Sequence, residues 1–355
     1  MKILFSSCHS VLEFQEMSIL TELDVKANAG LDIEVFSMGA YSNPTQNADY
    51  LRSVIPRGIF YPELYAVAMQ CSNDLIHEEL IEWADVWLCM HNSSVPGQLD
   101  RQPWLAHNFY QFKKKKKRVI FRSIGQSTPE IEAELKKYRA NGMQILRYSP
   151  LEERIPNYAG HDALIRFSED QDEFSGWTGE KKQVITIAQS FKKRGDHLGY
   201  SIFEKATFDF NSKVFGTENE DLGEVNGGRP GYGELKKQLR ESRVFFYTGT
   251  KPAPYTMSFV EAMLTGIPIV AIGSKLRGDD EPPYRWPSYE IPEIISNGVN
   301  GYCSDNIEEL RSYIKLLMED DEVAKRIGEA GRQTAIKLFG RKERMNEWRD
   351  FLSKG

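Results

Sequence analysis

From Lys2 to Ala271, short apolar runs alternate with stretches of helical periodicity, and this alternation constrains the fold more than any other feature of the chain. A run of four to six apolar residues with no polar alternation belongs in a strand buried on both faces, which requires helices above and below a mostly parallel sheet. Ile3-Leu4-Phe5 leads to an amphipathic segment from Val11 to Ala29, closed by Gly30, and then to Ile33-Glu34-Val35-Phe36. Further runs follow at Asp85–Met90, Val119–Arg122, Gln144–Tyr148 and Ala163–Phe167. The text then turns polar from Ser168 to Lys182 and resumes with Val184-Ile185-Thr186-Ile187, Lys213–Phe215, Val244–Tyr247 and Ile267–Ile272, before three helical stretches beyond Asn306. The expected architecture is α/β: two doubly wound domains at 1–167 and 183–338 facing each other across a cleft, joined by a linker at 168–182. Residues 339–355 are expected to form a final helix that packs back toward the first domain. A chain of 355 residues exceeds the size at which one core usually keeps growing, which agrees with two domains.

Composition removes several function classes. Hydrophobic residues make up 41% and charged residues 27%, the proportions of a globular protein, and the net charge of −6 provides no global field toward nucleic acid or anionic lipid. Cys8, Cys71, Cys89 and Cys303 are scattered, without metal-ligand spacing, and read as reduced thiols. No apolar run is long enough to span a bilayer and no leader segment is apparent, so a cytoplasmic location is expected. One charge block stands out, Lys113 to Lys117 with Arg118. It is read first as a solvated helix end and second as a weak contact to an anionic membrane surface or to nucleic acid.

The stretch with most chemical content is Ala253-Pro254-Tyr255-Thr256-Met257-Ser258-Phe259-Val260-Glu261-Ala262-Met263-Leu264-Thr265-Gly266-Ile267-Pro268-Ile269-Val270-Ala271. It reads as a loop, a helix carrying an acid, a glycine stop and a buried strand. A loop that opens a helix presents free N–H groups and the positive end of the helix dipole, a setting for a diphosphate. Glu261 follows on the same helix, where it can accept hydrogen bonds from a ribose hydroxyl pair; a lone glutamate is otherwise a solvated surface residue.

This stretch resembles the signature of the large retaining GT-B glycosyltransferase family, in which Glu-Gly-Phe-Gly is followed four residues later by Glu-Ala-Met-Ala-x-Gly-x-Pro-Val-Val-Ala. The second glutamate falls on Glu261; the first falls on Ala253, a departure. Ile187-Ala188-Gln189-Ser190-Phe191-Lys192-Lys193-Arg194-Gly195 is similar to the family's phosphate loop Val-Gly-Arg-x-x-x-x-Lys-Gly, with Arg194 in place of the lysine and Gln189 in place of the arginine. Ile291-Pro292-Glu293-Ile294, then Gly298-Val299-Asn300-Gly301, resembles a third family segment. The resemblance implies two Rossmann-like domains and transfer of a sugar from a UDP- or GDP-linked donor, with retention at the anomeric carbon and no metal or other cofactor. It implies donor contacts from Arg194, Gln189, Lys193, Glu261, Tyr255, Thr256, Met257 and Ser258.

The first half resembles the family in rhythm alone. Ser7, His9, Arg122, Gly125 and Gln126 lie at or just beyond strand ends and are candidates for the acceptor side, and His9 and His91 are candidates for a catalytic role. Asp170-Gln171-Asp172 offers a rival, metal-dependent reading, since two carboxylates so spaced can share a divalent ion. The replacements at Ala253 and Gln189 keep a non-catalytic nucleotide-sugar binder open, and an epimerase of the same fold is a further alternative. The sequence leaves the acceptor, the donor sugar and the oligomeric state open.

Overall fold

The computed structural model describes residues 1–7, 10–26, 33–38, 62–68, 71, 75–90, 103–279, 282 and 285–354. The chain divides into two compact units, one formed by Met1–Phe167 with Lys342–Gly355 and one by Ser168–Arg341.

In the first unit, β1 (Lys2–Ser7), β2 (Glu34–Ser37), β3 (Val86–Met90), β4 (Arg118–Arg122), β5 (Gln144–Arg147) and β6 (Ala163–Leu164) form a six-stranded sheet in the order β2-β1-β3-β4-β5-β6. Every pairing is parallel. The helices are α1 (Ser10–Lys26), α2 (Pro62–Ala68), α3 (Glu78–Trp83), α4 (Pro103–Lys114) and α5 (Pro129–Ala140). Leu4, Trp87, Val119, Phe121 and Ile145 point from the sheet into a core closed by Leu105, Phe109 and Phe112 of α4 and Leu135 of α5. Thr128 starts α5 by accepting the N–H of Ile131, with Pro129 at the first helical position, where a missing N–H is harmless.

In the second unit, β7 (Lys181–Ile187), β8 (Ser212–Phe215), β9 (Asn226–Gly228), β10 (Ser242–Tyr247), β11 (Ile269–Ile272) and β12 (Tyr302–Ser304) run in the order β9-β8-β7-β10-β11-β12, again all parallel. Strand β7 therefore lies beside both β8 and β10, and the winding direction reverses between β7 and β10. The helices are α6 (Phe191–Arg194), α7 (Tyr200–Thr207), α8 (Tyr232–Glu241), α9 (Met257–Thr265), α10 (Ser274–Arg277), α11 (Ile291–Ile294), α12 (Ile307–Glu319) and α13 (Asp321–Phe339). A last helix, α14 (Arg341–Ser353), falls almost wholly within the first unit, where Trp348 is fully buried.

Gly266 ends α9 in the left-handed conformation at φ 89°. Its carbonyl oxygen would lie 2.1 Å from a Cβ at Gly328, so α13 approaches α9 this closely only with glycine there. Of the segment 168–182, expected as a polar linker, residues 168–180 pack onto the second unit and the last two already belong to β7. Phe174 is buried edge-on to Tyr232, the Trp177 indole N–H donates to the Ser242 carbonyl, and the Thr178 N–H donates to the Arg240 carbonyl. Two strands escaped the sequence reading. Asn226-Gly227-Gly228 has no apolar side chains to form a run, and Gly227 is required because a Cβ there would come within 2.5 Å of the Phe215 ring. Tyr302-Cys303-Ser304 is only three residues long, at the sheet edge.

Candidate functional site

In an open parallel sheet, ligands bind outside the carboxyl ends of the strands where the winding reverses. In the second unit that point lies between β7 and β10, and the two segments marked by the sequence both leave the sheet there. The loop after β7 runs through Gln189 and Ser190 into α6; the loop after β10 runs from Thr248 to Thr256 into α9. They are tied to each other. The Lys251 N–H donates to the His197 carbonyl at 3.1 Å, and the Thr248 hydroxyl donates to the Leu198 carbonyl at 2.5 Å.

Gln189, Lys192, Lys193 and Arg194 are all exposed. Lys193 sits 3.9 Å from the Glu218 carboxylate, whose other contact is the Ser190 hydroxyl at 2.7 Å. The Arg194 and Lys251 side chains have no ion-pair or hydrogen-bond partner among the described residues. His197 lies among Arg194, Lys251 and Arg277; partial burial first, then these three cations, push its pKa below the usual histidine value. Of the three, Arg277 has a counter-charge, Asp279 at 3.0 Å. Arg277 is buried and donates to the Thr250 and Ala253 carbonyls at 3.0 and 2.8 Å, fixing the loop that carries Ala253.

Thr256 occupies the N-cap of α9, yet its hydroxyl faces Tyr247 at 3.1 Å and Ser258 at 2.9 Å instead of capping the helix. The Thr256 N–H donates to the Tyr247 hydroxyl. The Met257 and Ser258 N–H groups are left without an acceptor among the described residues, two free donors at the positive end of a nine-residue helix. Tyr255 is buried against Phe339, and Met257 is also buried, so these two contribute packing and backbone.

Glu261, one turn further along α9, is 8% exposed, and no hydrogen bond reaches its carboxylate among the described residues. Burial lifts its pKa to about 7, opposed by the charge of Lys236. Glu169 is buried beside it, and its pKa is raised well above the carboxylate range by burial and then by the Glu261 charge, against Arg341. Like charges so placed resist joint ionisation. Glu169, His197, Lys251 and Arg277 carry no pattern that marks them in the sequence; His197 and Lys251 lie just outside the two motif segments, whereas Glu169 and Arg277 become neighbours of the motif residues only through the fold.

The candidates of the first half fare differently. His9 and His91 lie outside the described residues. Ser7 is the last residue of β1, paired with Met90 where that sheet reverses. Gly125 is buried at φ 69° and Gln126 is half-buried in the turn after β4. Arg122, expected to face an acceptor, is instead fully buried: its guanidinium binds Glu16 at 2.5 and 2.8 Å, donates to the Arg147 carbonyl and lies 4.4 Å over the Phe167 ring. It is a packing and pairing residue of its unit. In the basic block, Lys115 pairs with Glu78 and Glu82, Lys117 donates to the Glu82 carbonyl, and Arg118 donates to the Phe351 and Leu352 carbonyls. Asp170 accepts the Asp172 N–H in a local turn at 2.8 Å. Among the described residues, no group of three or more His, Cys, Asp or Glu side chains is arranged to hold a metal ion, and no helix is long and apolar enough to cross a membrane.

Two parallel six-stranded Rossmann-like sheets in one chain, with α14 placed in the first unit, define the GT-B fold. Solved structures of that fold match along the whole chain. HepE of Anabaena, in complex with UDP-glucose, is 14% identical with a TM-score of 0.68, covering 100% of both chains. A glycosyltransferase from Rickettsia africae is 13% identical with a TM-score of 0.64, covering 100% of this chain and 99% of its own. The lipopolysaccharide outer core galactosyltransferase WaaB, in its apo form, is 12% identical with a TM-score of 0.55, covering 100% of this chain and 99% of its own. At these identities the likeness establishes the fold. No protein-family model matches the sequence, and no curated protein matches it.

Proposed function

We propose that this protein is a glycosyltransferase that takes a sugar from a nucleotide-diphosphate donor, UDP- or GDP-linked, and passes it to an acceptor with retention at the anomeric carbon and without a metal. The observation that carries the reading is the reversal point of the second sheet. There Arg194 and the N–H groups of Met257 and Ser258, all without a partner among the described residues, lie on the segments that follow neighbouring strands, with the carboxyl of Glu261 one turn along the same helix. The likeness to a structure holding UDP-glucose supports the donor class.

In this site the diphosphate is the leaving group, and its developing charge needs stabilisation more than protonation. Arg194 grips phosphate oxygens through its fork, and the α9 amides donate from the other side. Glu261 accepts from the ribose hydroxyls, and the Thr256 and Ser258 hydroxyls line the mouth of the helix. Ala253 supplies no carboxylate to the donor sugar; that observation favours a binder without transfer as the second reading.

A thermal-shift screen against UDP, GDP, ADP and their sugars tests the donor class, since a ligand at 100 times its Kd stabilises by about 2.7 kcal/mol. Release of free sugar from the best donor then separates transferase from binder. No shift with any nucleotide sinks the proposal.

A further inference from the structure

We propose that the cation lost at Gln189 is replaced from the neighbouring loop by Lys251, and that the diphosphate held between Arg194 and Lys251 draws a proton onto His197 when it binds. This rests on the donor reading above and assigns two residues to the same site.

The argument starts from the loop geometry. Lys251 is anchored beside His197 by its own N–H, which donates to the His197 carbonyl at 3.1 Å, and a second bond from Thr248 to the Leu198 carbonyl fixes the same two segments. The left-handed backbone of Gly199, at φ 72°, brings the chain so near Thr248 that a Cβ would lie 3.0 Å from the threonine Cβ. The β10 loop is thus held against the segment that follows α6 and Arg194, and Lys251 is half-buried there.

The charges are unbalanced. The charged groups acting on His197 are Arg194 from α6, Lys251 from the β10 loop and Arg277 from α10, with no carboxylate among them. Asp279 answers Arg277, while Arg194 and Lys251 are unanswered among the described residues. The His197 ring has no hydrogen-bond partner there either. Two cations that both act on His197, and that have no partner among the described residues, suit a ligand with two negative charges, and a nucleotide sugar carries one on each phosphate.

The proton follows by linkage. In the free protein, partial burial and then the surrounding cations keep the imidazole pKa below the usual histidine value. A bound diphosphate cancels their field and adds an acceptor, so the imidazolium becomes favourable and a proton is taken up from solvent. The reaction is His197 plus H+ giving His197-H+, with no bond of the donor changed. Lower pH therefore tightens binding across the interval between the free and bound values of His197.

The test is calorimetric titration of the whole protein with UDP-glucose and GDP-glucose at pH 7 in buffers of different ionisation enthalpy. A nucleotide sugar is the right probe because it lacks the terminal phosphate group that itself titrates near pH 6. The expected result is net proton uptake that disappears in His197→Gln, with affinity falling at least tenfold in Lys251→Ala and recovering in part in Lys251→Arg. Binding with no proton uptake overturns the role of His197. Unchanged affinity in Lys251→Ala, with Arg194→Ala defective, overturns the shared clamp. Inorganic pyrophosphate separates the levels: if it binds and no nucleotide sugar does, the anion site stands and the donor reading falls, and if neither binds, both fall.

Discussion

The two units treat their strand-end cations in opposite ways. In the first, Arg147 and Arg122 are fully buried and answered: Arg147 forms two parallel bonds to Glu132 at 2.7 and 2.8 Å and faces Glu152 at 3.5 Å, while Arg122 binds Glu16. The carboxylates are held in turn. Glu132 accepts the Ser127 hydroxyl and the Ala159 N–H, and Glu152 accepts the Ser123 hydroxyl and the N–H groups of Tyr148 and Ser149. In the second unit, Arg194 at the end of α6 and Lys251 in the loop after β10 follow the strands at the reversal point, with no counter-charge among the described residues. A charge paired inside the fold has been committed to structure, and a cluster left unpaired at a ligand-binding edge is available for an anion.

The sharpest way to break this contrast is to remove a committed charge. Arg147→Ala would leave Glu132 and Glu152 buried without their cation, and breaking such a pair costs about 3–5 kcal/mol. The expected outcome is a lower urea midpoint for unfolding of the first unit, or loss of soluble protein. If Arg147→Ala is as stable as the parent, the buried network is not structural and the contrast fails.

Removing an unpaired charge should do the reverse. Arg194→Ala should leave the unfolding midpoint unchanged, because that guanidinium has no ion-pair or hydrogen-bond partner among the described residues. Donor affinity and turnover should fall well over tenfold, since charge-assisted hydrogen bonds contribute about 1.5–3 kcal/mol each. Arg194→Lys should recover part of the loss, keeping the charge without the fork. Equal damage from Lys193→Ala, measured by the same titration, would move the clamp by one residue.

How far these features can be read from sequence depends on how local they are. The α/β class was legible because ten of the strands are apolar runs, whereas Asn226–Gly228 and Tyr302–Ser304 carry no such signal. Glu261 and Arg194 were visible as parts of contiguous patterns, and the structure sets their segments side by side. Lys251 and His197 are 54 residues apart in the chain and adjacent only through the parallel pairing of β7 with β10. Arg122 misled because a strand end suggests a cleft-facing loop, yet Glu16 on α1 captures its guanidinium. Glu169 was hidden in a polar stretch that reads as a linker and packs as part of the second unit.

Glu261 offers a third way to sharpen the comparison, because it is a buried carboxylate without a salt-bridge partner among the described residues, unlike Glu132. Its folded-state pKa of about 7 lies above the ordinary 4.5, so the folded protein holds a proton there that the unfolded chain releases. The stabilising contribution is complete below about pH 4.5 and is lost as pH rises through about 7. Glu261→Gln should flatten that part of the stability profile and raise stability at pH 8 by on the order of 1–3 kcal/mol, while weakening donor binding. Parallel profiles for the two proteins, followed by urea unfolding from pH 5 to pH 8, would show that the carboxyl is not strained by burial.

The smallest effect belongs to the basic block. Lys115 pairs with Glu78 and Glu82 at the surface, and these hydrogen bonds raise its pKa while lowering that of Glu78. Such exposed pairs gain little, because water screens the attraction and two long side chains lose freedom to hold it. Lys115→Ala should therefore shift the unfolding midpoint barely, and the shift should vanish at 1 M salt, where the screening length is about 3 Å. Arg118 separates the two kinds of cation within one block, since its guanidinium donates to the Phe351 and Leu352 carbonyls and lies 4.9 Å over the Phe351 ring. Arg118→Ala should loosen α14, seen as faster amide exchange from Arg341 to Ser353, and this loss should persist at 1 M salt because partly buried hydrogen bonds are little screened. Salt sensitivity in Arg118→Ala equal to that in Lys115→Ala would place both residues among the surface charges.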